Sequence, residues 1–268
     1  MNPKFQWSGA STSGTKKQKN DDSFLIFSAG MDGCETLDDE GDFELSSRDI
    51  IFAVSDGMGG GNAGYLASRL ILERISQLIP KTFAAAAQGF HPDYLEQLEL
   101  KIEGIHASIN ESAALDEAHK GMAATLTLGW FTPENLYLAH VGDSRLYLHR
   151  NGETKLLSED HSYVWKKLNK GELNERQYRN HPKKAGLYEV MGGGHRNVRP
   201  MIASIPYQSG DQFMLCSDGI IDGLWEKHIH SAFLRNSDST NQLATSLMSR
   251  AIENDGTDDT TLIALKIL

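Results

Sequence analysis

Residues 49–61 read DIIFAVSDGMGGG, and residues 212–223 read QFMLCSDGIIDG. Each begins as a short apolar run, rich in Ile, Val, Phe, Met or Leu, with the length of a buried strand. Each then passes through a serine into Asp-Gly, at Asp56 and at Asp218. Asp-Gly after a strand is ordinary turn chemistry when met once. Met twice, behind two buried strands, it sets two carboxylates at rigid backbone positions. Working outward, strands are expected at 23–29, 123–131, 135–141, 145–150, 153–157, 201–206 and 260–267. Asn151-Gly152 is a hairpin signal, and tight turns between successive strands imply antiparallel pairing.

Helical periodicity covers 62–79, with Asn62 as N-cap and Pro80 as stop, and also 93–115 and 240–253. Shorter helices are expected near 162–169 and 174–180. Residues 31–47 hold seven acids (Asp32, Glu35, Asp38, Asp39, Glu40, Asp42, Glu44) and no base. That composition predicts a solvated loop, and its spacing does not match a calcium-binding EF-hand loop. Strands and helices come in blocks, so the fold class is α+β, with antiparallel sheets covered by helices. No linker divides the chain, and residues 1–268 are expected to form one domain.

The chain has 268 residues and a formal net charge of −10. That balance argues against a nucleic-acid partner, which would want a basic stripe. It suits carboxylates that collect cations, and equally a merely soluble surface. The two cysteines, Cys34 and Cys216, lie in no metal-binding or redox spacing. Lone thiols of this kind suit a reducing compartment. The first residues lack the apolar core of a signal peptide, and no run of about 18 apolar residues exists. The expectation is a cytoplasmic protein without membrane insertion, and a monomer.

The remaining candidates are also acids beside strands. Asp21 and Asp22 precede SFLIF, Asp143 follows LYLAHV in GDSR, and Asp258 precedes the last strand in GTDDTTLIAL. Hard cations such as Mg²⁺ and Mn²⁺ take oxygen ligands of this kind. Two such ions about 3.5–4 Å apart let a shared water ionise near neutral pH and stabilise phosphoryl oxygens. Gly57 lets the backbone approach closely, so its carbonyl joins the candidates. Ser55 and Ser217 belong to no GxSxG and are not read as nucleophiles. Gly192–Gly194 lack the lysine of a phosphate loop. His161 is read as a hydrogen-bonding residue rather than a ligand. Cys216 is read as a small buried hydrophobe and Met58 as packing.

The ordered set KKQKNDD, SDGMGG, GMAATL, GDSR, EDHS, LCSDGI and TDDTT resembles the type 2C (PPM) metal-dependent protein phosphatases, in particular the bacterial single-domain kind. The resemblance runs from about residue 8 to residue 267. It implies a four-layer α/β/β/α sandwich of two antiparallel sheets flanked by helices, with a flap at about 165–200. It implies hydrolysis of phosphoserine and phosphothreonine on proteins by a metal-activated water. The cofactors would be two core ions, Mn²⁺ or Mg²⁺, with a weaker third. In that scheme Asp56 bridges both core metals and Asp218 and Asp258 hold one of them. Asp21 with the Gly57 carbonyl serves the other. Asp143 with Asp218 holds the third. Asp22 orients the metal-bound water, and Lys17 grips the substrate phosphate.

Four positions depart from the family pattern. Asp21 stands where glutamate is usual, and Lys17 where arginine is usual. Lysine offers a point charge instead of a planar fork, which implies weaker phosphate binding unless Lys16 assists. Ala123 and Ala124 replace glycine and a hydroxyl residue, a change expected to concern packing. The implied partners are phosphorylated proteins and a cognate serine/threonine kinase. Two alternatives stay open: a small-phosphoester hydrolase, and a pseudophosphatase that binds phosphoproteins without turnover.

Overall fold

The segment DIIFAVS is buried at every residue, and its side chains alternate between two cores. Ile51 and Ala53 face one, while Ile50, Phe52 and Val54 face the other. A strand apolar on both faces must be central and covered twice, and the rest of the chain supplies both covers. The computed structural model describes residues 2–17, 19–60, 62–87 and 93–268, with 80–87 as helix backbone only.

In chain order the elements are β1 (Lys4–Thr12), β2 (Ser23–Gly30), β3 (Gly33–Thr36), β4 (Glu40–Glu44), β5 (Asp49–Ser55) and β6 (Gly57–Met58). Helices α1 (Ala63–Ala87) and α2 (Tyr94–Leu115) follow. Then come β7 (Ala123–Ala124), β8 (Leu126–Phe131), β9 (Leu136–Val141), β10 (Arg145–Arg150) and β11 (Glu153–Leu156). The last part holds α3 (Tyr163–Asn169), α4 (Glu175–Arg179), β12 (Met191–Gly192), β13 (Met201–Ile205) and β14 (Gln212–Cys216). It ends with α5 (Asp218–Gly223), α6 (Glu226–Arg235), α7 (Thr240–Asn254) and β15 (Thr260–Ile267).

Two antiparallel six-stranded sheets form, in the orders β13-β9-β8-β5-β2-β3 and β11-β10-β14-β15-β1-β4. Their facing sides share Phe5, Trp7, Phe52, Phe131, Phe213 and Ile263. Helices α1 and α2 cover the outer side of the first sheet through Ala67, Ile71, Ile102, Ile105 and Ile109. Helices α5, α6 and α7 cover the second through Ile220, Phe233, Leu243 and Leu247. The four-layer sandwich is therefore present. A three-stranded ribbon, β12-β7-β6, adds a short third sheet. Helices α3 and α4 pack on a satellite cluster of Val164, Trp165 and Tyr178.

The structure corrects several expectations. The acidic stretch 31–47 is not all loop. It contains β3 and β4, which pair at the edges of the two sheets. Edge pairing uses backbone groups and leaves the charged side chains in water, so composition hid it. Helix α1 does not stop at Pro80 but runs to Ala87. A proline removes one backbone bond, and the alanine-rich run beyond it favours helix. The expected strand 123–131 divides at Thr125. The turn DGIIDG folds as α5, and β1 and α6 are two elements that the sequence reading does not include. The Asn151-Gly152 hairpin forms with φ of 52° and 78°, the left-handed pair that a type I′ turn needs.

Phe52 is fully buried and meets Trp7 and Phe131 edge to face at 5.8 and 5.9 Å. Phe52→Ala should destabilise the fold by about 3–5 kcal/mol. A urea titration with an unchanged midpoint would contradict a shared inter-sheet core.

Candidate active site

The candidate acids come from both sheets and meet at one end of the sandwich. Asp56 joins β5 to β6, Asp22 leads into β2, and Asp143 lies in the turn from β9 to β10. Asp218 opens α5 directly after β14, and Asp258 sits just before β15. Asp22, Asp218, Asp143 and Asp258 all act electrostatically on Asp56. Five of the six predicted carboxylates are thus gathered around one point. The sixth, Asp21, enters through Lys17.

The backbones are fixed by polar residues one step further back. Thr125 bonds to Asp56 twice: its N–H donates to the Asp56 carbonyl at 2.8 Å, and its hydroxyl accepts from the Asp56 N–H at 2.9 Å. Ser55 Oγ donates to the Thr125 carbonyl at 2.7 Å. Ser217 Oγ donates to Asp22 Oδ2 at 2.6 Å and accepts from the Thr261 N–H at 3.0 Å. Asp259 accepts backbone N–H bonds from Gly14 at 2.8 Å and Asp21 at 2.7 Å, which pins the loop that carries Lys17 and Asp21 to the start of β15.

Gly57 has no room for a side chain. A Cβ there would lie 2.2 Å from the Gly64 carbonyl oxygen and 2.6 Å from that of Asp21. A Cβ on Gly64 would in turn lie 2.8 Å from the Gly57 oxygen and 3.1 Å from the Asp21 carboxyl carbon. The Gly57 carbonyl and the Asp21 side chain therefore flank the same spot at the start of α1.

Crowded carboxylates bind their protons more tightly. Burial raises Asp22 to about 7, with Asp218 and Asp259 adding to the rise against hydrogen bonds from Ser217 and Thr261. Burial, and then neighbouring carboxylates, push Asp56 and Asp143 well above the usual range. Asp218 is raised by burial and by Asp258, and it in turn raises Asp56. Two buried oxygens, Asp22 Oδ1 and Asp218 Oδ1, have no hydrogen-bond partner. Lys17 is the local cation. Its Nζ is 3.1 Å from Asp258 Oδ1 and 3.9 Å from both Asp21 Oδ2 and Asp259 Oδ2. As the side chains stand, no three His, Cys, Asp or Glu groups among the described residues close on a single ion. The cluster instead relies on Lys17, on protons and on hydrogen bonds. An all-oxygen donor set with orphaned buried oxygens fits a hard divalent cation.

Residues 32–254 match the family described as protein phosphatase 2C. The chain belongs to the protein phosphatase 2C family. It is 30% identical over 230 residues to the serine/threonine phosphatase stp of Listeria welshimeri, covering 85% of this chain and 89% of that protein. It is 27% identical over 218 residues to the serine/threonine protein phosphatase PstP of Mycobacterium tuberculosis, covering 81% of this chain and 40% of that one. The fold overlays the crystal structure of Mycobacterium tuberculosis PstP/Ppp with a TM-score of 0.78, at 24% identity over 98% of each chain. A PstP catalytic domain in complex with two manganese ions overlays with a TM-score of 0.74, at 24% identity over 99% of each chain. The reading of a metal-dependent protein phosphatase, a phosphoric monoester hydrolase, is borne out. Neither the small-phosphoester hydrolase nor the non-enzymatic module is favoured. No described helix is long and apolar enough to cross a membrane.

Within this phosphatase the motifs GDSR and EDHS prove to be two halves of one contact. Arg145 of the first makes a buried two-pronged pair with Asp160 of the second, at 2.9 and 2.8 Å. It also bonds Tyr147 and Glu226 and stacks over Trp165 at 4.6 Å. This pair holds the Asp143 turn against the segment that leads into α3. His161 accepts from the Gly142 N–H at 3.2 Å, a structural role as expected. Cys216 is fully buried, and Ala123 and Ala124 pair with Met58 and Gly57, which fits packing roles for all. Sequence reasoning passed over Asp259, Thr125, Lys184 and Asp222. Only Asp259 left a mark, as the second acid of an Asp-Asp pair before a strand.

The raised carboxylates make the metal-free protein sensitive to alkali. Asp22 binds its proton more tightly folded, at about 7, than in an unfolded chain at about 4. Its contribution is fully present below about pH 4 and is lost as pH rises through about 7. In chelator the Tm should therefore fall across that window. Excess Mn²⁺ should raise it, by an amount that widens with pH to about 5 °C or more. A gap that is absent, or constant with pH, would show that no cation sits among these acids.

Proposed function

We propose that this phosphatase hydrolyses phosphoserine and phosphothreonine on proteins directly, with two divalent cations, Mn²⁺ or Mg²⁺, seated on the acid cluster. The observation that carries the reading is the meeting of Asp56 and Asp218. These half-buried carboxylates arrive from opposite sheets, each adds negative charge to the other's surroundings, and Asp218 Oδ1 is left unpartnered. Asp56 would serve both ions, Asp218 and Asp258 one, and Asp21 with the Gly57 carbonyl the other. Rotation of side chains on fixed strand ends is all that such binding asks. When bound, the ions supply an activated water and neutralise the phosphoryl oxygens.

The other steps belong to the chain itself. Asp22 is held on one oxygen by Ser217, and its unpartnered Oδ1 would accept a proton from the attacking water. Lys17 balances Asp258, Asp21 and Asp259 in the metal-free protein. Once cations neutralise those acids, its ammonium is released to grip the substrate phosphate. Water attacks phosphorus as Asp22 takes its proton, the bond from phosphorus to the seryl or threonyl oxygen breaks, that oxygen is protonated by solvent water, and no phospho-enzyme forms. Catalysis is then positioning and electrostatics. The flap at about 165–200 borders the cleft and would influence which phosphoprotein enters. The same reading makes the chain a monomeric cytoplasmic enzyme that opposes a serine/threonine kinase.

Phosphate release from phosphothreonine peptides should require Mn²⁺ or Mg²⁺ and stop with chelator. Asp56→Asn and Asp218→Asn should each lower kcat by at least about a hundredfold. Lys17→Ala should raise KM more than it lowers kcat. Small phosphate monoesters run beside the peptides should be the poorer substrates by kcat/KM. Metal-independent turnover, or an Asp56→Asn variant as active as the parent, would refute the mechanism.

A further inference from the structure

A groove of about 590 Å³ opens at Asp22 and runs between helix α1 and strand β2. Phe24 and Leu25 of β2 stand on one side, and Tyr65, Arg69 and Ser76 of α1 on the other. The two sides are tied where they begin. Ser68 Oγ of α1 donates to the Asp21 carbonyl at 2.7 Å and lies 3.0 Å from Ser23 Oγ. From Tyr65 to Ser76 the helix rises about 16 Å at roughly 1.5 Å per residue. About five residues of extended chain cover that distance.

Two cations stand in this groove and share one ring. The Lys19 ammonium lies over the Tyr65 ring, 3.2 Å from its centre. Arg69, one turn further along α1, donates to the Tyr65 hydroxyl and stands 5.1 Å from the same ring. An aromatic face and a phenol oxygen hold both positive groups in place without neutralising either. Lys17, Arg145, Arg150 and Lys184 are each paired with an acid. Among the described residues neither Lys19 nor Arg69 is paired with one. Glu73 lies on the same wall, but it already accepts from the Gln77 amide at 3.1 Å. The molecule carries a net charge of −10. Two unneutralised cations held side by side in it form a place for an anion.

We propose that this groove receives the stretch of a phosphoprotein beside its phosphorylated residue, and that Lys19 and Arg69 select an acidic side chain there. The inference rests on the hydrolytic reading above. Gly64 borders the spot shared by the Gly57 carbonyl and the Asp21 carboxyl. From Gly64 to Arg69 the helix rises about 7 Å, which an extended peptide covers in about two residues. The guanidinium and the ammonium would meet the carboxylate, while Phe24 and Leu25 would take its apolar stem. An acidic segment would otherwise be repelled by the carboxylates of the cleft, so this pair decides whether it can approach. Lys19 and Arg69 thus determine specificity. They face the flanking residue and not the reacting atoms.

The test is kcat/KM on phosphothreonine peptides with Glu, Ala or Lys placed in turn at neighbouring positions on either side, using the full chain and Mn²⁺. On one side, Glu about two residues away should exceed Lys by about tenfold, chiefly through KM. The gap should close at high ionic strength. Arg69→Ala and Lys19→Ala should each narrow it, the double variant should remove it, and Arg69→Glu should reverse it. On para-nitrophenyl phosphate, which has no flanking residues, every variant should match the parent. Circular dichroism checks that each variant is folded. A parent indifferent to charge at every position, or a preference that survives in the double variant, overturns the proposal. Variants that lose para-nitrophenyl phosphate turnover to the same degree overturn it too, because the cations would then serve the reaction and not the choice of substrate. A parent without metal-dependent turnover of either kind overturns the hydrolytic reading itself, a different and distinguishable result.

Discussion

The constraint on which the site depends is the burial of like charges. Asp22 is buried, and Asp56, Asp143 and Asp218 are half-buried, at the end of a two-sheet sandwich, where water screens them poorly. Taking one carboxylate out of water is costly, and placing several side by side adds repulsion to that cost. A chain selected for stability alone would not do this. The fold tolerates it because every acid sits where a strand ends. There Thr125 holds the Asp56 backbone, Asp259 holds the Asp21 backbone and Ser217 holds the Asp22 side chain. Hydrophobic burial in three layers of core sustains the arrangement, and the acids draw on that surplus.

The supporting residues divide the labour in a consistent way. Backbone geometry is held by neutral groups and by Asp259, whose two oxygens are both satisfied by N–H donors. Charge is left to the acids that face the cleft, and there oxygens remain unpartnered. The contrast between neighbours Asp258 and Asp259 shows the principle. One is accessible and paired with Lys17, the other is buried and spent on structure. Gly57 and Gly64 matter for a related reason. Their mutual approach brings a carbonyl and the Asp21 carboxyl to one place, and any side chain there would force them apart.

Much of this was legible in the sequence, and the rest was hidden for identifiable reasons. The central strands and the covering helices announce themselves through period and composition, because burial on one or two faces dictates both. The strand-end acids could be read for the same reason: an Asp-Gly break in an apolar run marks where the backbone leaves the sheet. Strands β3 and β4 were not legible, since edge pairing is a backbone matter and their side chains are acidic. Strand β1 is mixed in polarity, although Phe5 and Trp7 are core residues. The roles of Asp160, Lys184 and Asp222 depend on contacts between segments distant in sequence, which no local pattern encodes. Arg145 and Asp160 each looked like part of a separate motif until folding brought them together.

The choice between arginine and lysine follows what each charge must do. Arg145 is sealed in, bonded through its planar fork to Asp160 and stacked on Trp165, with Tyr147, Tyr178 and Glu226 around it. Breaking such a pair would strand a buried charge at a cost of about 3–5 kcal/mol. It is a permanent joint. Lys17 and Lys184 are point charges on flexible stems, each in direct contact through a single nitrogen. An ammonium of that kind neutralises a carboxylate while remaining exchangeable for another cation or another anion. Where arginine would lock the acids, lysine leaves them available. The phosphatase therefore keeps the sealed Arg145 joint on a guanidinium, while Asp258 and Asp222 are held by ammonium groups.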